Sequence, residues 1–473
     1  MIDCRQLNFS YGGNREPVLK NVSLTVDRGE ALILMGPSGC GKSTLAYCLA
    51  GLYPEYAGKI TGEILLDGKK LGELTPNLRS RKVSIMFQNP DDQFCMDRVD
   101  REILFALENI NYSGDMHKRM RNVLALTGIP ELERARVGQL SGGTKQKVAL
   151  AAALAIGDAG ESLLILDEPF ANIDQEAGWE IAAKLKELAK NTGLSLLIID
   201  HKLDYWKDMV SRIVIMDRDG CIVEDHIQPG QLTMYRGLFE ELGIFYQESY
   251  ERVSSKAPSK DEAAIIAEDM SVSRGKEKII HSVSLKVQKG GITAVMGKSG
   301  SGKTTMLWAL AGLLPHKGRL TLCGRVGVVF QNPGYQFLTQ QVLDEVLYTL
   351  KAGSPDEEDC RLEEKAWDWL REFGLEKYGK ISPYMLSQGQ QRRLAVLSML
   401  AGEQEILLLD EPTYAQDERA TRFIMKRLAE RAAGGLTVII ATHDRALAAA
   451  YAHEIIWLDK GEVINDGQAE PGI

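Results

Sequence analysis

A nine-residue stretch decides the fold of this chain: Gly36-Pro37-Ser38-Gly39-Cys40-Gly41-Lys42-Ser43-Thr44, which recurs as Gly297-Lys298-Ser299-Gly300-Ser301-Gly302-Lys303-Thr304-Thr305. Both copies match G-x-x-x-x-G-K-[ST], the pattern of a phosphate-binding loop. Glycines let the backbone curl so that its N–H groups point inward, and the start of the following helix adds a partial positive charge. Lysine bridges the terminal phosphates, and the Ser or Thr hydroxyl, Ser43 or Thr304, holds Mg²⁺.

The residues on either side of the loops support this interpretation. Each loop follows an apolar run that predicts a strand, 31–35 and 292–296, and opens a helical pattern, 45–52 and 306–314. One copy of such a short pattern arises by chance, but two copies in strand-loop-helix context do not. We therefore expect the chain to bind two nucleoside triphosphates or to descend from a protein that did.

Composition limits the class of protein. The chain has 473 residues, 44% of them hydrophobic, and a formal net charge of -9, which is ordinary for a globular protein of two or three domains. The acidic charge argues against a general nucleic-acid binder. No apolar run approaches the roughly 18 residues that span a bilayer, and Met1 to Cys4 begin no signal peptide. We therefore expect a cytosolic protein or one peripheral to a membrane.

The seven cysteines include no C-x-x-C pair. This indicates reduced thiols rather than a disulfide or zinc framework. Cys40 lies in the first loop near a helix start, where a thiolate is favoured. We interpret it as a tolerated small residue and not as a redox centre.

An internal repeat of domain size organises the chain. Five landmarks recur in the same order: Lys42 and Lys303, Gln88 and Gln331, Ser141 and Ser387, Asp167 and Asp410, His201 and His443. The spacing is 261 residues for the lysines (42 to 303) and 243 for the glutamines (88 to 331). We therefore predict that the second half lost 18 residues from one place after Pro315, where the first half keeps an extra hairpin and loop at 60–67 and 69–82.

The two copies predict the domain boundaries. Residues 247–262 are rich in Glu, Ser and Lys and show no strand or helix period, which is typical of a linker. Domains are expected at 1–246 and 263–473. Within each, apolar runs such as 163–166, 196–199, 406–409 and 438–440 suit buried parallel strands that alternate with helices. The predicted fold class is α/β, with two tandem domains of the same fold.

Two apolar strands end on Asp-Glu-Pro. Asp167 and Asp410 would hold Mg²⁺ through water, and Glu168 and Glu411 would orient and polarise the attacking water. A solvated turn is the alternative for two adjacent acids. The phosphate-binding loop upstream of each pair makes that alternative poor.

A further motif precedes a helical Ala/Leu stretch. Ser141, Gly142 and Gly143 combine a serine, glycine amides and a helix start, which form a second anion site. The motif recurs as Ser387-Gln388-Gly389. Alone, it would be a simple N-capped helix.

As a set, these motifs resemble the nucleotide-binding subunits of ABC transporters. The resemblance covers nearly the whole chain outside the linker, including the D-loop segments 171–174 and 415–417. It implies that each domain is a P-loop ATPase with a mostly parallel core sheet, an antiparallel β-subdomain and a helical subdomain, and that it uses ATP and Mg²⁺. It also implies that Gln88 and Gln331 reach Mg²⁺ and that His201 and His443 contact the γ-phosphate as catalytic residues.

The family further implies a head-to-tail pair of halves. One ATP would lie between Lys42 and Ser387, and the other between Lys303 and Ser141. ATP closes the sandwich by binding both halves, and hydrolysis lets it open. Tyr11 occupies the place of an aromatic residue that stacks on adenine in the family.

Several relatives carry two ATPase halves in one chain. Translation-associated ATPases have a long charged linker, and DNA-repair relatives insert zinc-binding cysteines. In tandem sugar importers, the sequence of the second phosphate-binding loop usually departs from the G-x-x-x-x-G-K-[ST] pattern. This chain has none of these features. The segments Phe87 to Phe94 and Val99 to Asn109 are similar to the ATPases of energy-coupling-factor importers, which take up vitamins and Co²⁺ or Ni²⁺. We therefore predict an importer ATPase, peripheral on the cytoplasmic face of the membrane.

The resemblance also implies the partners. They are an integral membrane scaffold with arginine-bearing helices and a substrate-binding membrane subunit, with no nucleic acid. Asp91 and Asp92 suit such arginines, although a solvated turn is an equal alternative. Gly334 and Tyr335 replace them in the second half, which predicts that the halves contact different helices. The other functions considered are a switch on ribosomes or DNA and a module that binds ATP without turnover.

Differences between the copies predict two competent but unequal sites. Arg274 stands where the first half has Tyr11, and it either stacks on the base or faces solvent. Gln388 replaces a motif glycine, which we expect to make a left-handed backbone costly there.

Overall fold

The computed structural model describes residues 1–12, 16–53, 58–157, 162–171, 173–245, 250, 262–275, 277–298, 300–414 and 416–464. The chain divides into two compact units, Met1–Tyr246 and Gln247–Ile473, called here the first and second halves. Of the linker predicted at 247–262, only Tyr250 and Glu262 are described.

The first half alternates strands and helices along the chain. Its strands are β1 (Ile2–Tyr11), β2 (Leu19–Val26), β3 (Ala31–Met35), β4 (Gly58–Leu66), β5 (Lys69–Lys70), β6 (Val83–Met86), β7 (Leu163–Asp167), β8 (Ser195–Ile199), β9 (Arg212–Met216) and β10 (Ile222–Ile227). Its helices are α1 (Lys42–Ala50), α2 (Pro76–Lys82), α3 (Val99–Asn109), α4 (Met116–Leu126), α5 (Gly142–Ile156), α6 (Gln175–Thr192) and α7 (Arg236–Leu242).

The second half repeats most of these elements. Its strands are β11 (Ala263–Arg274), β12 (Glu277–Gln288), β13 (Ile292–Met296), β14 (His316–Leu322), β15 (Val326–Val329), β16 (Ile406–Asp410), β17 (Thr437–Ala441), β18 (Glu454–Asp459) and β19 (Glu462–Ile464). Its helices are α8 (Lys303–Leu310), α9 (Val342–Gly353), α10 (Asp359–Glu372), α11 (Gln388–Ala401), α12 (Glu418–Ala433) and α13 (Arg445–Tyr451).

Each half is built on a core sheet whose inner strands are parallel. Within the described residues the order is β10-β9-β3-β8-β7-β6 in the first half and β15-β16-β17-β13-β18-β19 in the second, with one antiparallel edge strand in each. Every residue of β3, β7, β8, β13, β16 and β17 is buried. In the first half one face packs against helices and the other against α1 and the antiparallel strands β1 and β2, and the second half repeats this. Strands buried on both faces are continuously apolar. The predicted α/β fold class is therefore confirmed in both halves.

Each half also has a separate antiparallel sheet and a group of helices. The antiparallel orders are β2-β1-β4-β5 and β12-β11-β14 among the described residues. Helices α3, α4 and α5 pack together in the first half, as do α9, α10 and α11 in the second. The antiparallel β-subdomain and helical subdomain implied by the family resemblance are both present.

The prediction of one 18-residue loss is wrong in its position. Strand β14 pairs with β11 as β4 pairs with β1, so the stretch 60–67 is not extra. Gly62 and Gly318, at φ 95° and 90°, lie in equivalent bulges of the two strands. Since they are 256 residues apart (62 to 318), the second half is shorter both before β14 and after it, where β5 and α2 have no counterpart among the described residues. Spacing alone could not separate two losses that occur between the same two landmarks.

Candidate functional site

The strand order of each core sheet gathers the sequence motifs at one edge. The phosphate-binding loop follows β3, His201 follows β8, the Asp167–Glu168 pair ends β7, and Gln88 follows β6. These strands are neighbours in that order. The second half brings the same motifs together after β13, β17, β16 and β15. Carboxyl ends of parallel strands meet at one edge, where ligands of α/β proteins bind. Distant sequence motifs therefore form one candidate site in each half.

The phosphate-binding loops are tightly constrained. A Cβ added at Gly36 would lie 2.6 Å from the Met216 carbonyl oxygen, and one at Gly297 would lie 2.1 Å from that of Leu458. Gly41 precedes α1 at φ 104° in a left-handed conformation that favours glycine. The loops therefore require glycine at these positions for their shape.

The loop lysines fold back over their own loops. Lys42 Nζ donates to the Gly36 and Pro37 carbonyl oxygens at 2.7 and 2.9 Å. Lys303 Nζ donates to the Gly297 carbonyl oxygen at 2.7 Å. Each ammonium group is thus held inside the curve of its loop, where a phosphate would be bound. The other predicted loop residues lie in the same turns: Ser38, Gly39, Ser43 and Thr44 in the first, and Lys298, Gly300, Ser301, Gly302, Thr304 and Thr305 in the second. The predicted Ser299 lies outside the described residues.

The aspartates that end the acidic strands are deeply buried. Burial and the neighbouring Glu168 raise the pKa of Asp167 to about 7, partly offset by the Ser43 hydroxyl and Lys42. The Ser43 hydroxyl is near enough to influence Asp167 but is not in hydrogen-bond geometry, so neither carboxylate oxygen has a hydrogen-bond partner within the part of the chain that the structure describes. Burial likewise raises the pKa of Asp410 to about 6, and Thr304 Oγ1 donates to its Oδ2 at 2.6 Å. A buried carboxylate beside a loop hydroxyl fits a hard divalent cation such as Mg²⁺.

The glutamates next in sequence, Glu168 and Glu411, contact His201 and His443. His201 Nε2 lies 3.1 Å from Glu168 Oε1, and His443 Nδ1 lies 2.9 Å from Glu411 Oε1. Burial tends to raise the pKa of Glu168, but His201, Lys42 and the Gln88 side chain outweigh it, so the net pKa is lowered. The pKa of Glu411 is lowered for similar reasons, with His443 and Lys303 outweighing burial. Both glutamates are therefore ionised at neutral pH and can accept a hydrogen bond.

Ser141 and Ser387, called here the signature serines, each begin a helix, and α5 and α11 are called the signature helices. Ser141 Oγ accepts from the Thr144 N–H before α5, and Ser387 Oγ accepts from the Gln390 N–H before α11, both at 3.3 Å. Gly142 and Gly143 open α5, and Gln388 and Gly389 open α11. The expectation that Gln388 forces a costly left-handed backbone is wrong, because a first-turn helical residue has negative φ.

Two side chains that the sequence analysis assigned to a ligand or a membrane partner, Tyr11 and Asp91, already have partners within the first half. Tyr11 OH hydrogen-bonds to Thr44 Oγ1 at 2.9 Å and to Tyr53 OH at 2.6 Å. Asp91 pairs with Lys145 Nζ at 2.5 Å, so its charge is already offset by the signature helix. Arg274, the counterpart of Tyr11, is exposed at the end of β11.

Two other predictions concern Cys40 and the D-loops. Cys40 is buried, and burial raises the pKa of its thiol above the usual value, which opposes the helix-start effect and agrees with a tolerated small residue.

Asp174 and Asp417 of the D-loops cap α6 and α12 by accepting from the Ala177 and Ala420 N–H groups. Asn172 and Ala415 of the same segments lie outside the described residues.

The structure adds residues that the sequence analysis missed. In the first half, Trp206 Nε1 donates to Asp200 Oδ2 at 2.8 Å, and its ring stacks on Phe170 at 4.7 Å. This contact fixes the residue before His201. The sequence did carry a signal for this contact: Asp200 is a third acid, besides Asp167 and Glu168, that lies at the end of a buried strand, and it directly precedes His201.

Equivalent positions in the two signature helices also carry different buried side chains. Gln146 Nε2 donates to the Glu168 carbonyl oxygen at 3.1 Å. Its counterpart Arg392, 1% exposed, donates to the Phe330, Gln331 and Asp410 carbonyl oxygens. Burial lowers the pKa of Arg392 to about 10, which leaves it charged at neutral pH.

A phosphate-binding loop after the central strand, with a buried acid pair on a neighbouring strand, defines a P-loop nucleoside triphosphatase. The chain belongs to the ABC transporter family, whose model matches residues 19–171 and 280–414. It is accordingly an ATP-binding protein and an ATPase with two such regions. No helix within the described residues has the length and apolar character needed to cross a membrane.

Two curated proteins are similar over nearly the full chain. The chain is 35% identical to the "Putative HMP/thiamine import ATP-binding protein YkoD" of Bacillus subtilis (strain 168), over 99% of this chain and 91% of that protein. It is 31% identical to a "Putative ABC transporter ATP-binding protein" of Methanosarcina acetivorans, over 98% of this chain and 85% of the other.

Among solved structures, the archaeal ribosome recycling factor aABCE1, in complex with the ribosomal stalk protein aP1, covers 97% of this chain and 89% of its own. The TM-score is 0.65 at 20% identity. A second structure, the RNase-L Inhibitor, gives a TM-score of 0.64 at 20% identity, over 97% of this chain and 90% of its own. At this identity the likeness shows the tandem fold alone.

Proposed function

We propose that this protein powers a membrane importer of the energy-coupling-factor type by hydrolysing ATP at two sites. The observation that carries the importer assignment is the 35% identity to a protein described as an HMP/thiamine import ATP-binding protein, over 99% of this chain. The Q-loop sequence from Phe87 to Phe94 supports the same subtype. The cargo is then a vitamin, a vitamin precursor or a transition-metal ion.

The proposed chemistry assigns a role to each side chain at the sheet edge. The histidines keep Glu168 and Glu411 ionised. Each carboxylate then accepts a hydrogen bond from an O–H of the attacking water and so orients it. Lys42 and Lys303 bind the terminal phosphates, and His201 and His443 contact the γ-phosphate. The loop glycine amides bind the remaining phosphate oxygens.

The same edge offers ligands for a divalent cation. Asp167 and Asp410, the hydroxyls of Ser43 and Thr304, and the amides Gln88 and Gln331 form the proposed set. The unpartnered carboxylate oxygens of Asp167 support it, since a buried carboxylate without a partner is costly. When bound, Mg²⁺ offsets phosphate charge in the transition state.

The proposed assembly completes each site with the other half. Lys42 would share one ATP with Ser387, and Lys303 would share the other with Ser141. Helix starts at the two serines supply N–H groups for the γ-phosphate. Domains at 1–246 and 263–473, with a linker at 247–262, are part of this proposal.

The surfaces proposed to receive the membrane partner differ between the halves. In the first half, Asp92 is exposed beside the Asp91–Lys145 pair, which favours a cationic partner helix. In the second, an apolar surface surrounds the equivalent loop and comprises Tyr335, Leu338, Tyr384 and Met385, exposed by 72%, 69%, 58% and 75%. We infer that the two halves contact chemically different helices of an integral membrane scaffold, on the cytoplasmic face of the membrane. A separate membrane subunit would bind the cargo.

Co-purification tests this proposal. The tagged full chain, extracted from membranes of its own organism in detergent, is expected to retain a polytopic membrane protein identified by mass spectrometry. Asp91→Ala/Asp92→Ala is expected to reduce that retention at least several-fold. The adjacent exposed acids of α7, changed as Glu240→Ala/Glu241→Ala, are the matched control.

Two outcomes would contradict parts of the proposal. Unchanged retention by the Asp91→Ala/Asp92→Ala variant would remove the acidic surface as a docking site. Recovery of ribosomes or DNA, with no membrane protein, would favour the soluble switch that the sequence left as the alternative. The likeness to ribosome-recycling proteins does not favour that alternative, because it concerns the fold only.

A further inference from the structure

Arg392 is a buried guanidinium in the second half whose described hydrogen bonds all go to main-chain carbonyls. Its Nη1 donates to the carbonyl oxygens of Phe330 at 2.7 Å and Asp410 at 3.4 Å, and its Nη2 donates to that of Gln331. A guanidinium presents several donors in a rigid plane, so it can hold three acceptors in one fixed arrangement.

The three acceptors belong to the candidate site. Phe330 and Gln331 directly follow β15, and Asp410 ends β16, which pairs with β15 in parallel. Arg392 itself lies in the second turn of α11, the helix that begins at Ser387. One side chain therefore connects the signature helix to the ends of two adjacent core strands.

The first half has a weaker connection at the equivalent place. Gln146 makes one bond, to the Glu168 carbonyl oxygen, and its Oε1 has no hydrogen-bond partner among the residues described. A neutral amide forms weaker hydrogen bonds than a charged group does. Both halves have further links to the signature helix, and Arg392 Nε, like Gln146 Oε1, has no partner among the described residues. In the second half, Gln416 Nε2 donates to the Gly389 carbonyl oxygen at 3.0 Å. In the first half, Lys145 pairs with Asp91, and the Gln93 amide accepts from the Phe87 N–H and donates to the Ala149 carbonyl oxygen.

We propose that Arg392 is a positioning residue of the second half: its guanidinium fixes the main chain around Gln331 and Asp410 to helix α11, more firmly than Gln146 fixes the first half. The halves then differ in stiffness as well as in sequence. The second site keeps Gln331 and Asp410 in register with helix α11 through a charged guanidinium, whereas the first half connects its sheet edge to α5 through the neutral amides of Gln146 and Gln93. The importance of Gln331 and Asp410 rests on the proposed function.

Hydrogen exchange of the unmodified full chain tests the difference directly. Amides of 327–333 are expected to show protection factors at least tenfold higher than those of 84–90, without nucleotide or membrane partner. Equal or lower protection in the second half would overturn the proposal. This measurement does not depend on the importer assignment, so the two can fail separately.

Substitutions test whether Arg392 is the cause. Arg392→Gln, which installs the residue of the first half, is expected to lower the protection of 327–333 at least tenfold. It should also lower kcat for ATP about fivefold to tenfold with KM changed less than twofold, because the phosphate-binding loop is untouched. Arg392→Lys is expected to lower the protection of 327–333 and kcat less than Arg392→Gln does. An ammonium keeps the charge but lacks the planar arrangement of donors.

The neighbouring arginine is the matched control. Arg393 Nη1 donates to the Phe373 carbonyl oxygen, at the end of α10, within the helical part of the same half. Arg393→Gln is expected to leave the protection of 327–333 unchanged. If Arg392→Gln folds with unchanged protection there, or if Arg393→Gln lowers it equally, Arg392 is a packing residue only. If Arg392→Gln does not fold, the comparison of the two segments in the unmodified chain decides.

Discussion

Glu168 and Glu411 each lie against the histidine that follows the next strand, Glu168 against His201 Nε2 and Glu411 against His443 Nδ1. We expect each of Glu168→Gln and Glu411→Gln to slow turnover at its own site by roughly 10²-fold or more, the range for loss of a general base. Each should also remove most ATPase activity of the chain, because the proposed sandwich opens and closes on both sites together. An amide keeps the shape but cannot accept the water proton. Steady-state phosphate release measures the effect.

The exposed Glu180, paired with Lys184 on α6, supplies a control for that measurement. Glu180→Gln is expected to leave turnover unchanged. Normal turnover in either of the two site variants would show that its half does not contribute, and the proposal of two working sites would fail.

Trp206 and Asp200 form a buried polar contact that holds the segment around His201 in place. Trp206→Phe keeps a ring to stack on Phe170 but removes the donor to Asp200 Oδ2. Leaving a buried acceptor unsatisfied is expected to destabilise the fold by about 1–3 kcal/mol. Urea denaturation followed by circular dichroism measures the loss. Trp179→Phe, on a side chain 40% exposed, should change stability by less than about 0.5 kcal/mol.

At the scale of an element, strand β4 depends on a glycine bulge. Gly62 has φ 95°, and a Cβ there would lie 2.4 Å from the Gln6 carbonyl oxygen. Gly62→Ala therefore combines a left-handed backbone, which costs roughly 1–2 kcal/mol, with a clash against fixed backbone. We expect a total loss of about 2–5 kcal/mol, seen as a lower midpoint of thermal unfolding.

The following turn provides a matched comparison. Gly68 has φ 77° but has nothing within 4 Å of an added Cβ. Gly68→Ala should then lose only the backbone part, about 1–2 kcal/mol. Equal losses at Gly62 and Gly68 would show that the β1–β4 bulge tolerates a side chain.

At the scale of the whole molecule, the proposed head-to-tail arrangement predicts which pairs of substitutions act on one site. In a chain carrying Glu168→Gln and Glu411→Gln, ATP is bound without turnover. Adding Lys42→Ala with Ser387→Arg should disable a single site and leave about one ATP per chain. Adding Lys42→Ala with Ser141→Arg should disable both sites and leave none.

Equilibrium binding of radiolabelled ATP counts the sites, and the chain with the two glutamine substitutions alone should bind two. The opposite result, with one ATP lost only for the Ser141→Arg combination, would mean that each half completes its own site. Fusion in one chain raises the effective concentration of the halves for each other.

The sequence alone predicted the repeated α/β fold, the strands that carry the motifs, and the family. Predicted strands 31–35 and 292–296 coincide with β3 and β13, because fully buried parallel strands are continuous apolar runs. Predicted helix ends were too long by two to four residues, since Gly51 ends α1 in a left-handed turn that apolar periodicity does not mark.

The tertiary structure decided what spacing could not. Strand order placed the loop, acids, histidine and glutamine of each half at one edge, and pairing showed that β14 is the counterpart of β4. It also revealed partners that lie far apart in sequence: Asp91 with Lys145, Trp206 with Asp200 and Phe170, and Arg392 with three carbonyls. A local motif specifies its own backbone, which is why sequence found the loops. Burial and long-range contacts depend on how the strands are ordered, so only the folded chain shows which side chains meet.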